Sequence, residues 1–505
     1  MTGTHSRRDF LKKVALSFGA SLFWHTDLNR AARAGTSYKI AAWKGDDFTV
    51  GHRIRDAKLP KLPSKTSKKV DFVIVGGGIA GLSAAHYLKD ESFLLLEQYD
   101  STGGHARGDS FRGIDYSFGS QYFTDMEGDL GELVHELGLK PVKMETGDSK
   151  WYWDGSLTGS EAGTAPGKEL ARLREEVKKY SGMFSSNILA DYRKHAELKK
   201  LDGITLSSAL GSYDPQFLAL LNSYCKSSLC GGIKQVSALA GLSLLDDLNL
   251  PTYEFEGGNP ALSRALAESV KKNQPDCLVT DAFVWSIEVT SRGASVVYGS
   301  GRKLTKVECK HVIVAIPHMI SSRILHGVED KLKASLFGFR YGSYLVANLL
   351  MRKRVFDGPF DSWFGPPLDF ADITVAETPY MMTGNYKQEM GSVLTVYQPY
   401  EAASIGRVLL FKGDREALSS RMIEQLSKVA PEVQGALEEI VPARWGHALA
   451  VPRPGYFDLV DGLTSLSPDS ISFAHSSALG LPCAEAAVSA ARQAVDRARK
   501  KRARP

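Results

Sequence analysis

Residues 70–81 read VDFVIVGGGIAG, and this stretch decides the fold. Its first six residues form a short, β-branched apolar run, which is typical of a buried parallel strand. A GxGxxG turn follows the run, and residues 82–88 then predict a helix. A second apolar run at residues 93–96 predicts the next strand, and Glu97 stands at its end. The order strand, glycine turn, helix, strand and acid predicts a βαβ unit that binds a dinucleotide.

Each residue of the turn has a physical role in such a unit. Gly76 permits the tight turn, Gly78 lets the backbone approach a pyrophosphate, and Gly81 allows the helix to pack closely on the strand. Ile79 and Ala80 complete the turn, and the N-terminus of the helix that follows offers unpaired N–H groups and a positive dipole end to phosphates. At the end of the second strand, the acid is expected to accept hydrogen bonds from a ribose hydroxyl.

Residues 103–107 read GGHAR and residues 115–120 read DYSFGS, shortly after that acid. A double glycine and an arginine at this place resemble the second fingerprint of the flavin amine oxidase superfamily. The resemblance implies FAD rather than NAD, with the glycines beside the cofactor and the arginine facing its phosphates. The implied cofactor-binding residues of this segment are Gly103, Gly104, His105, Arg107, Gly119 and Ser120.

Three later blocks are similar to the same superfamily, and the resemblance extends from about residue 51 to 495. Residues 256–262 read EGGNPAL, residues 312–317 read VIVAIP, and residues 473–478 read FAHSSA. Finer features, including RWGH at residues 444–447, resemble a spermidine-dehydrogenase-like branch that is exported through the Tat pathway. The additional cofactor-binding residues that the resemblance implies are Val284, Trp445, His475, Ser476 and Ser477. Trp445 is expected to form a wall of the flavin site, with simple core packing as the alternative.

The expected fold is α/β: a doubly wound, Rossmann-type FAD-binding domain with an inserted substrate domain of mixed sheet and helices. A chain of 505 residues is long enough for both. The predicted segments are a signal peptide at 1–34 and an extended leader at 35–69, then FAD-binding segments at 70–145, 255–325 and 440–499, and substrate-domain segments at 146–254 and 326–439.

The resemblance implies an FAD-dependent oxidoreductase that oxidises an amine or polyamine by hydride transfer to flavin N5. Three positions depart from the family pattern. Val346 stands where many amine oxidases carry a lysine near N5, Ser477 replaces an acid, and Cys483 replaces an aromatic residue. These departures keep two alternatives open, namely a dehydrogenase or desaturase of non-amine substrates and an FAD-binding protein without turnover.

His447 is the candidate catalytic base, because an imidazole with a pKa near 6.5 can accept a proton from a substrate ammonium; a histidine satisfied in the core is the alternative. Asp246 and Asp247 could attract a polyamine, but a solvated loop or helix face is the account that the sequence favours. Cys309 and Cys483 have no cysteine between them, where some relatives attach flavin covalently, so noncovalent FAD is favoured.

The five cysteines are too few and too scattered for a metal site, and no metal is expected. Cys225 and Cys230 could form a disulfide in an oxidising compartment, or both could be free buried thiols. The sequence decides neither possibility.

The first residues predict export. Arg7 and Arg8 precede an apolar run at residues 14–24 that is too short to span a bilayer. Small residues then lead to a cleavage site near Ala34. The twin arginine resembles a Tat signal, which implies the Tat machinery as a partner and a periplasmic location.

Charge and composition limit the remaining partners. Net charge is only +5, and basic residues are balanced by acids, so a nucleic-acid partner is not expected. Six basic side chains lie in residues 497–505, as in a solvated helix end or a segment with weak attraction to an anionic surface. The expected partners are a small-molecule substrate and an electron acceptor, which could be oxygen, a quinone or a haem protein.

Overall fold

The computed structural model describes residues 38–124, 126–144, 149–161, 163–184, 188–300, 303–401 and 403–502. The predicted signal at residues 1–34, with its cleavage site, lies outside these ranges. The strands are β1 (Lys39–Ile40), β2 (Lys44–Gly45), β3 (Lys68–Val75), β4 (Phe93–Leu96), β5 (Gly108–Phe111), β6 (Ile114–Ser117), β7 (Val142–Lys143), β8 (Lys150–Trp153), β9 (Ser156–Gly159), β10 (Tyr253–Glu254), β11 (Leu278–Val279), β12 (Ala282–Thr290), β13 (Gly293–Ser300), β14 (Lys303–Val314), β15 (Leu325–His326), β16 (Ser343–Met351), β17 (Asp361–Trp363), β18 (Asp372–Val375), β19 (Ser392–Tyr400), β20 (Leu437–Trp445) and β21 (Ile471–Phe473).

The helices alternate with these strands through most of the described chain. They are α1 (Gly51–Arg55), α2 (Ile79–Tyr87), α3 (Gly128–Glu136), α4 (Ala165–Ser181), α5 (Ile188–Lys194), α6 (Ala196–Asp202), α7 (Leu206–Ala209), α8 (Pro215–Leu229), α9 (Ala238–Asp246), α10 (Asn259–Asn273), α11 (His318–Ile324), α12 (Asp330–Gly338), α13 (Thr378–Thr383), α14 (Ala403–Lys412), α15 (Arg415–Leu426), α16 (Val433–Ala436), α17 (Tyr456–Leu466) and α18 (Ala484–Arg502). Within the described ranges, no helix is both long enough and apolar enough to cross a membrane.

The first sheet is built around β3, which pairs in parallel with β4 on one side and β14 on the other. Its order is β11-β4-β3-β14-β13-β12-β15, and β21 pairs with β14. Phe72 and Ile74 pack with α2 and α18 on one face, while Val73 and Val75 pack on the other. Both faces are covered, as the apolar sequence of β3 requires in a parallel sheet. The predicted α/β class, with a parallel core that begins at residue 70, is confirmed.

The second sheet contains nine strands and is mostly antiparallel. Its order is β1-β20-β16-β19-β18-β17-β8-β9, and β2 also pairs with β20. In β16, Leu345, Ala347 and Leu349 pack into an apolar core with residues of β19 and α15. Alternate residues of the same strand point to the opposite face. The predicted mixed sheet with helices is therefore the second layer of the molecule.

The leader at residues 35–69 is more ordered than the sequence predicted. β1 and β2 pair in parallel with β20, and α1 follows them. Two-residue strands give almost no periodic signal, because the alternation of side chains needs about four residues to be recognised. From residue 38 onward, the leader thus contributes two short extended segments to the second sheet and one short helix.

Two predicted segment boundaries also require correction. The boundary at residue 440 divides β20, a single strand of the second sheet, and the boundary at 325 divides β15 of the first sheet. Hydrophobic periodicity shows that a strand is present but not which sheet it joins. The sheets therefore place these boundaries after Trp445 and after His326, and the division into domains otherwise stays a prediction.

Candidate functional site

The glycine turn lies between β3 and α2, at the carboxyl end of the parallel strands. Gly76 has a φ of +104°, and an added Cβ would lie 2.6 Å from the carbonyl oxygen of Ala315. At Gly81 an added Cβ would lie 1.8 Å from the Gly76 carbonyl oxygen. Both positions therefore require glycine for the fold itself.

Gly78 differs from the other two glycines. Its φ is −73°, which any residue adopts, and an added Cβ would meet only the Gly104 Cα, at 3.7 Å. No side chain caps the N-terminus of α2, where Ile79 and Ala80 begin the helix. The N–H groups there are oriented to bind an anion, and the space above Gly78 is not filled by the protein.

Glu97 lies beneath this turn. Its Oε2 accepts a hydrogen bond from the Gly77 N–H at 2.7 Å, and its Oε1 accepts one from the Tyr99 N–H at 2.9 Å. Burial raises the pKa of the Glu97 carboxyl, and these hydrogen bonds oppose the shift. The Ala282 N–H donates to the Glu97 carbonyl, which brings Val284 of β12 to the same edge of the sheet.

The second glycine pair packs on the first turn. The Gly103 N–H donates to the Gly77 carbonyl at 2.7 Å, and Gly104 has a φ of +57°. An added Cβ on Gly104 would lie 3.1 Å from the Gly78 Cα. Two loops that approach each other at glycine residues, together with an uncapped helix end, thus form a cradle. This cradle fits the pyrophosphate of a dinucleotide.

Arg107 lies between the second glycine pair and the leader. Its Nε donates to the Gly104 carbonyl at 3.3 Å, its Nη2 donates to the Gly45 carbonyl at 2.8 Å, and its guanidinium lies 4.1 Å from the ring centre of Tyr99. The implied contact of this guanidinium with phosphates stays a prediction. Sequence reasoning could not anticipate the contact with Gly45 without knowing that the leader returns to this loop.

Four of the predicted residues form the next part of the site. The Ser120 N–H donates to the His105 carbonyl at 2.8 Å, and the His105 and Trp445 rings are 4.6 Å apart. An added Cβ on Gly119 would lie 2.8 Å from the same carbonyl. Trp445 Nε1 donates to the Phe118 carbonyl at 2.8 Å, so this ring packs on the segment rather than elsewhere in the core.

The closing segment carries the last three predicted residues at the end of β21. His475 Nδ1 is 2.7 Å from the Ser477 hydroxyl, and Ser476 begins the single helical turn after it. Burial, together with nearby His105, lowers the pKa of His475 to about 3. The carboxyl ends of β3, β4 and β21 thus bring the predicted cofactor residues to one edge of the sheet, where open α/β folds bind ligands.

His447 is disfavoured as a base. Burial and the nearby Arg407 lower the pKa of His447 to about 3, and its ring lies 6.3 Å from that of Tyr341. An imidazole with so low a pKa accepts a proton poorly near neutral pH. Its catalytic role stays a prediction that the electrostatics of the site do not favour.

A second group of candidate residues was missed by the sequence analysis, apart from Val346 and Trp445. Cross-strand pairing places alternate side chains of five neighbouring strands on one face of the second sheet. We call this the inner face. It comprises Tyr344, Val346, Asn348, Asp361, Trp363, Asp372, Thr374, Thr395, Tyr397 and Trp445.

The inner face meets the segment that follows the second glycine pair. Asn348 Nδ2 donates to the Ser117 carbonyl at 3.0 Å, and the Tyr397 hydroxyl donates to the Gly119 carbonyl at 3.0 Å. Val346 lies between these contacts and Trp445 on the same face. The face is therefore next to the predicted cofactor site and is the wall on which a substrate would lie.

Asp361 and Asp372 are the unusual residues of this face. They lie on adjacent strands, are 8% and 4% exposed, and neither has a basic side chain among the described groups that shift its pKa. Burial raises the pKa of Asp372 to about 7 and that of Asp361 well above its ordinary value, and the proximity of the two acids raises the latter further. Asp361 Oδ1 is buried without a hydrogen-bond partner. Two acids buried without a cation are costly, and a cationic ligand would relieve that cost.

Aromatic rings surround the acid pair. Tyr224 of α8 lies 4.4 Å from Trp363 in an edge-to-face arrangement, and Tyr122 lies 5.9 Å from Phe360. Asp361 and Asp372 both raise the pKa of Tyr122 and of Tyr224, which places all four groups together. Carboxylates among aromatic rings are the chemistry that recognises an ammonium group. The available sequence signal was an acid at the first position of a short strand. It occurs twice, as DSW at residues 361–363 and as DIT at residues 372–374.

Cys483 directly precedes α18, and its side chain is accessible. Desolvation, together with the nearby Glu485 and Asp247, raises the pKa of its thiol. Asp247 also influences Tyr224, so it lies near the aromatic group, whereas Asp246 accepts a hydrogen bond from Ser181 at 2.5 Å. One of the two acids suggested for polyamine attraction is thus near Tyr224 and Cys483.

The cysteines at residues 225 and 230 and the possibility of a metal site remain to be described. Cys225 and Cys230 are free buried thiols rather than a disulfide. In the described ranges, no three His, Cys, Asp or Glu side chains are arranged to hold a metal ion.

The parallel sheet, the glycine cradle and Glu97 define a dinucleotide-binding protein, and comparison with known proteins identifies the family. The chain belongs to the family of flavin-containing amine oxidoreductases, whose model matches residues 79–494. It is an FAD-dependent enzyme of that family.

Individual relatives are distant. The chain is 23% identical to the FAD-dependent oxidoreductase dbaF of Emericella nidulans, over 78% of this chain and 84% of the relative. It is 26% identical to the putrescine oxidase of Kocuria rosea, over 52% of this chain and 60% of the relative. A solved structure of a putrescine oxidase variant, 20% identical, covers 85% of this chain and 98% of its own with a TM-score of 0.67, which shows a shared fold.

Proposed function

We propose that this enzyme oxidises a primary amine or a polyamine and that the acid pair on the inner face recognises the substrate. The observation that carries the proposal is the burial of Asp361 and Asp372 among aromatic rings next to the cofactor cradle. An ammonium group between the carboxyls would supply the missing positive charge. Cation–π attraction to the surrounding rings would add about 0.5–2 kcal/mol.

FAD fits the residues that the chain offers. Gly78, Ile79 and Ala80 would hold the pyrophosphate, Glu97 the ribose and Val284 the adenine, while Trp445 and His105 would border the flavin. When bound, FAD supplies a hydride acceptor at N5 for the carbon that bears the amine. We further propose that it is held without a covalent bond, because no cysteine occurs between Cys309 and Cys483.

The protein's own task is to bind the amine, to exclude water and to remove one proton from it. A protonated amine has no lone pair to assist loss of hydride from the neighbouring carbon. The inner face lacks a lysine, because Val346 occupies that position, so other groups must accept the proton. The similarity to a putrescine oxidase and the membership in an amine oxidoreductase family support the substrate class.

The proposal includes export. Arg7 and Arg8 precede a short apolar run, as in Tat signals, and a folded protein that already carries FAD suits that route. Cell fractionation with N-terminal sequencing tests this. Protein that carries FAD in the periplasm and begins after Ala34 is expected, whereas FAD-loaded protein found only in the cytoplasm with Met1 retained would contradict it.

The substrate class is tested by anaerobic titration of the flavin absorbance. Putrescine and spermidine are expected to bleach the flavin band, and alcohols are not. Bleaching by alcohols or by compounds without an amine would favour the alternative of a non-amine dehydrogenase or desaturase. A flavin spectrum that resists all of these compounds would favour an FAD-binding protein without turnover.

The acid pair is tested by Asp361→Asn. Loss of one carboxyl is expected to raise the KM for putrescine about tenfold, which corresponds to about 1.4 kcal/mol, with a smaller change in kcat. Asp357→Asn is the matched control, because Asp357 lies in the same segment but is fully exposed. An equal KM in both variants would remove Asp361 from substrate recognition.

A further inference from the structure

The inner face contains a short chain of hydrogen bonds that begins at the acid pair. The Ser227 hydroxyl of α8 donates to Asp372 Oδ1 at 2.5 Å, and it also lies 2.5 Å from the Tyr344 hydroxyl. Because Ser227 has a single hydroxyl proton and gives it to Asp372, Tyr344 is the donor in the second bond. The single Tyr344 proton is shared between Ser227 Oγ and the Ser227 carbonyl, which lies 3.0 Å away, so the path from Tyr344 to Asp372 uses one arm of a shared hydrogen bond.

The Tyr344 end of this chain lies toward the cofactor site. Tyr344 is the direct cross-strand partner of Trp445, whose ring packs against His105. Val346, two residues further along β16, has its side chain on the same face. A polar group at Tyr344 is therefore next to the position at which the lysine is absent.

Other polar groups near Val346 are already committed to structural bonds. Asn348 donates to the Ser117 carbonyl and accepts from the Thr395 hydroxyl at 2.7 Å. The Tyr397 hydroxyl donates to the Gly119 carbonyl. Among the described residues, the Tyr344 hydroxyl bonds in contrast to Ser227 of α8, whose hydroxyl and carbonyl share its proton.

On the basis of the proposed amine oxidation, we infer that Tyr344, Ser227 and Asp372 form a proton relay that accepts the proton of the substrate ammonium. The ammonium N–H bond breaks and its proton passes to the Tyr344 oxygen. The Tyr344 proton moves to Ser227 Oγ, and the Ser227 proton moves to Asp372 Oδ1. The net change is one neutral amine and one protonated Asp372, with no oxidation or reduction in this step.

Electrostatics around Asp372 suit both uptake and release of a proton. The groups that face it are Asp361 on β17, Tyr344 on β16, Tyr397 on β19, Tyr224 on α8 and Tyr122 on the loop between β6 and α3. Burial raises the pKa of Asp372 to about 7, and the Ser227 hydrogen bond opposes that rise. Burial also raises the pKa of Tyr344, so the phenol transfers protons without persisting as a phenolate.

The first test is the pH dependence of anaerobic flavin reduction by putrescine, measured in the FAD-loaded enzyme. In the wild type, the rate is expected to rise as pH passes 7 and then to level off, because Asp372 must be ionised to accept a proton. In Asp372→Asn and Tyr344→Phe, the rate is expected to fall at least tenfold at pH 8. It should continue to rise toward the pKa of the free amine, since only neutral amine taken from solution can react.

Two serine variants separate the relay from simple packing. Ser227→Ala should reproduce the altered pH profile, and Ser227→Thr should restore the wild-type profile because it keeps the hydroxyl. Ser228→Ala is the matched control in the same helix and should leave the profile unchanged. Unaltered profiles in Asp372→Asn and Tyr344→Phe would overturn the relay.

A second readout does not depend on turnover. tert-Butylamine can lose a proton but has no hydrogen on the carbon next to nitrogen. Its addition to the FAD-loaded wild type should produce an infrared signal of a newly protonated carboxylic acid, and Asp372→Asn should lack it. A newly ionised carboxylate instead would show that Asp372 is only a counter-ion. If no amine bleaches the wild type, the proposed function itself fails, whereas bleaching without these effects refutes only the relay.

Discussion

Gly78 and Gly81 are three residues apart in one turn, but the structure gives them different tasks. An added Cβ at Gly81 would collide with the Gly76 carbonyl, whereas at Gly78 it would enter space that the protein leaves open. We therefore expect Gly78→Val to fold and to lose FAD, because the side chain would occupy the pyrophosphate position. Gly81→Val should fail to fold. Circular dichroism and the visible spectrum of the purified variants measure these two effects.

The pair serves as its own control. If Gly78→Val retained the yellow colour, the cofactor site would have been misplaced. A Gly81→Val protein with normal folding would show instead that the close approach of α2 to β3 is less strict than the distances indicate.

At the scale of elements, the leader connects the two halves of the site. Asp46, directly after β2, accepts hydrogen bonds from the Gly446 N–H at 2.8 Å and from the Tyr99 hydroxyl at 3.3 Å. Tyr99 follows the ribose-binding Glu97, and Gly446 follows Trp445. One leader side chain thus joins the cofactor loop of the first sheet to the end of β20 in the second.

We expect Asp46→Ala to lower the affinity for FAD and the free energy of unfolding. Loss of these bonds should cost roughly 1–2 kcal/mol, since the two loops would no longer be held together. Fluorescence titration with FAD and thermal denaturation measure the two quantities. Asp47→Ala is the neighbouring control, because its carboxylate accepts hydrogen bonds within the leader, from Thr49. Equal behaviour of the two variants would mean that the leader does not organise the site.

At the scale of the whole molecule, the cofactor site depends on segments far apart in the chain. Asn348, Tyr397 and Trp445 of the second sheet all donate to the 117–119 segment, so the two sheets share one network beside the site. FAD should therefore stabilise both sheets together. At a hundredfold excess over Kd, the expected gain is about 2.7 kcal/mol, because FAD binds only the folded state.

Calorimetry of the FAD-free protein with added FAD checks this expectation. A single transition that moves to higher temperature is expected. ADP, which offers only the pyrophosphate and adenosine, should produce a smaller shift. Two transitions of which only one responds to FAD would show that the sheets unfold independently.

The sequence by itself determined the cofactor half of this protein. The strand, glycine turn and acid of residues 70–97 are local in the chain, and their spacing reflects direct contact between neighbours. The α/β class follows from that stretch, and FAD follows from the family resemblance that the glycine pair at Gly103 and Gly104 carries. Side-chain direction was less predictable, as Arg107 shows, because its partner Gly45 comes from the leader.

Tertiary structure alone decided the substrate half. Asp361, Asp372 and Tyr344 belong to three short strands, and only the pairing register of the second sheet places them on one face. A register slip of one residue in any of these strands would turn its side chains to the opposite face of the sheet. Register is a property of the assembled sheet, so no local pattern in the chain could specify that these acids and the relay from Tyr344 meet beside the cofactor.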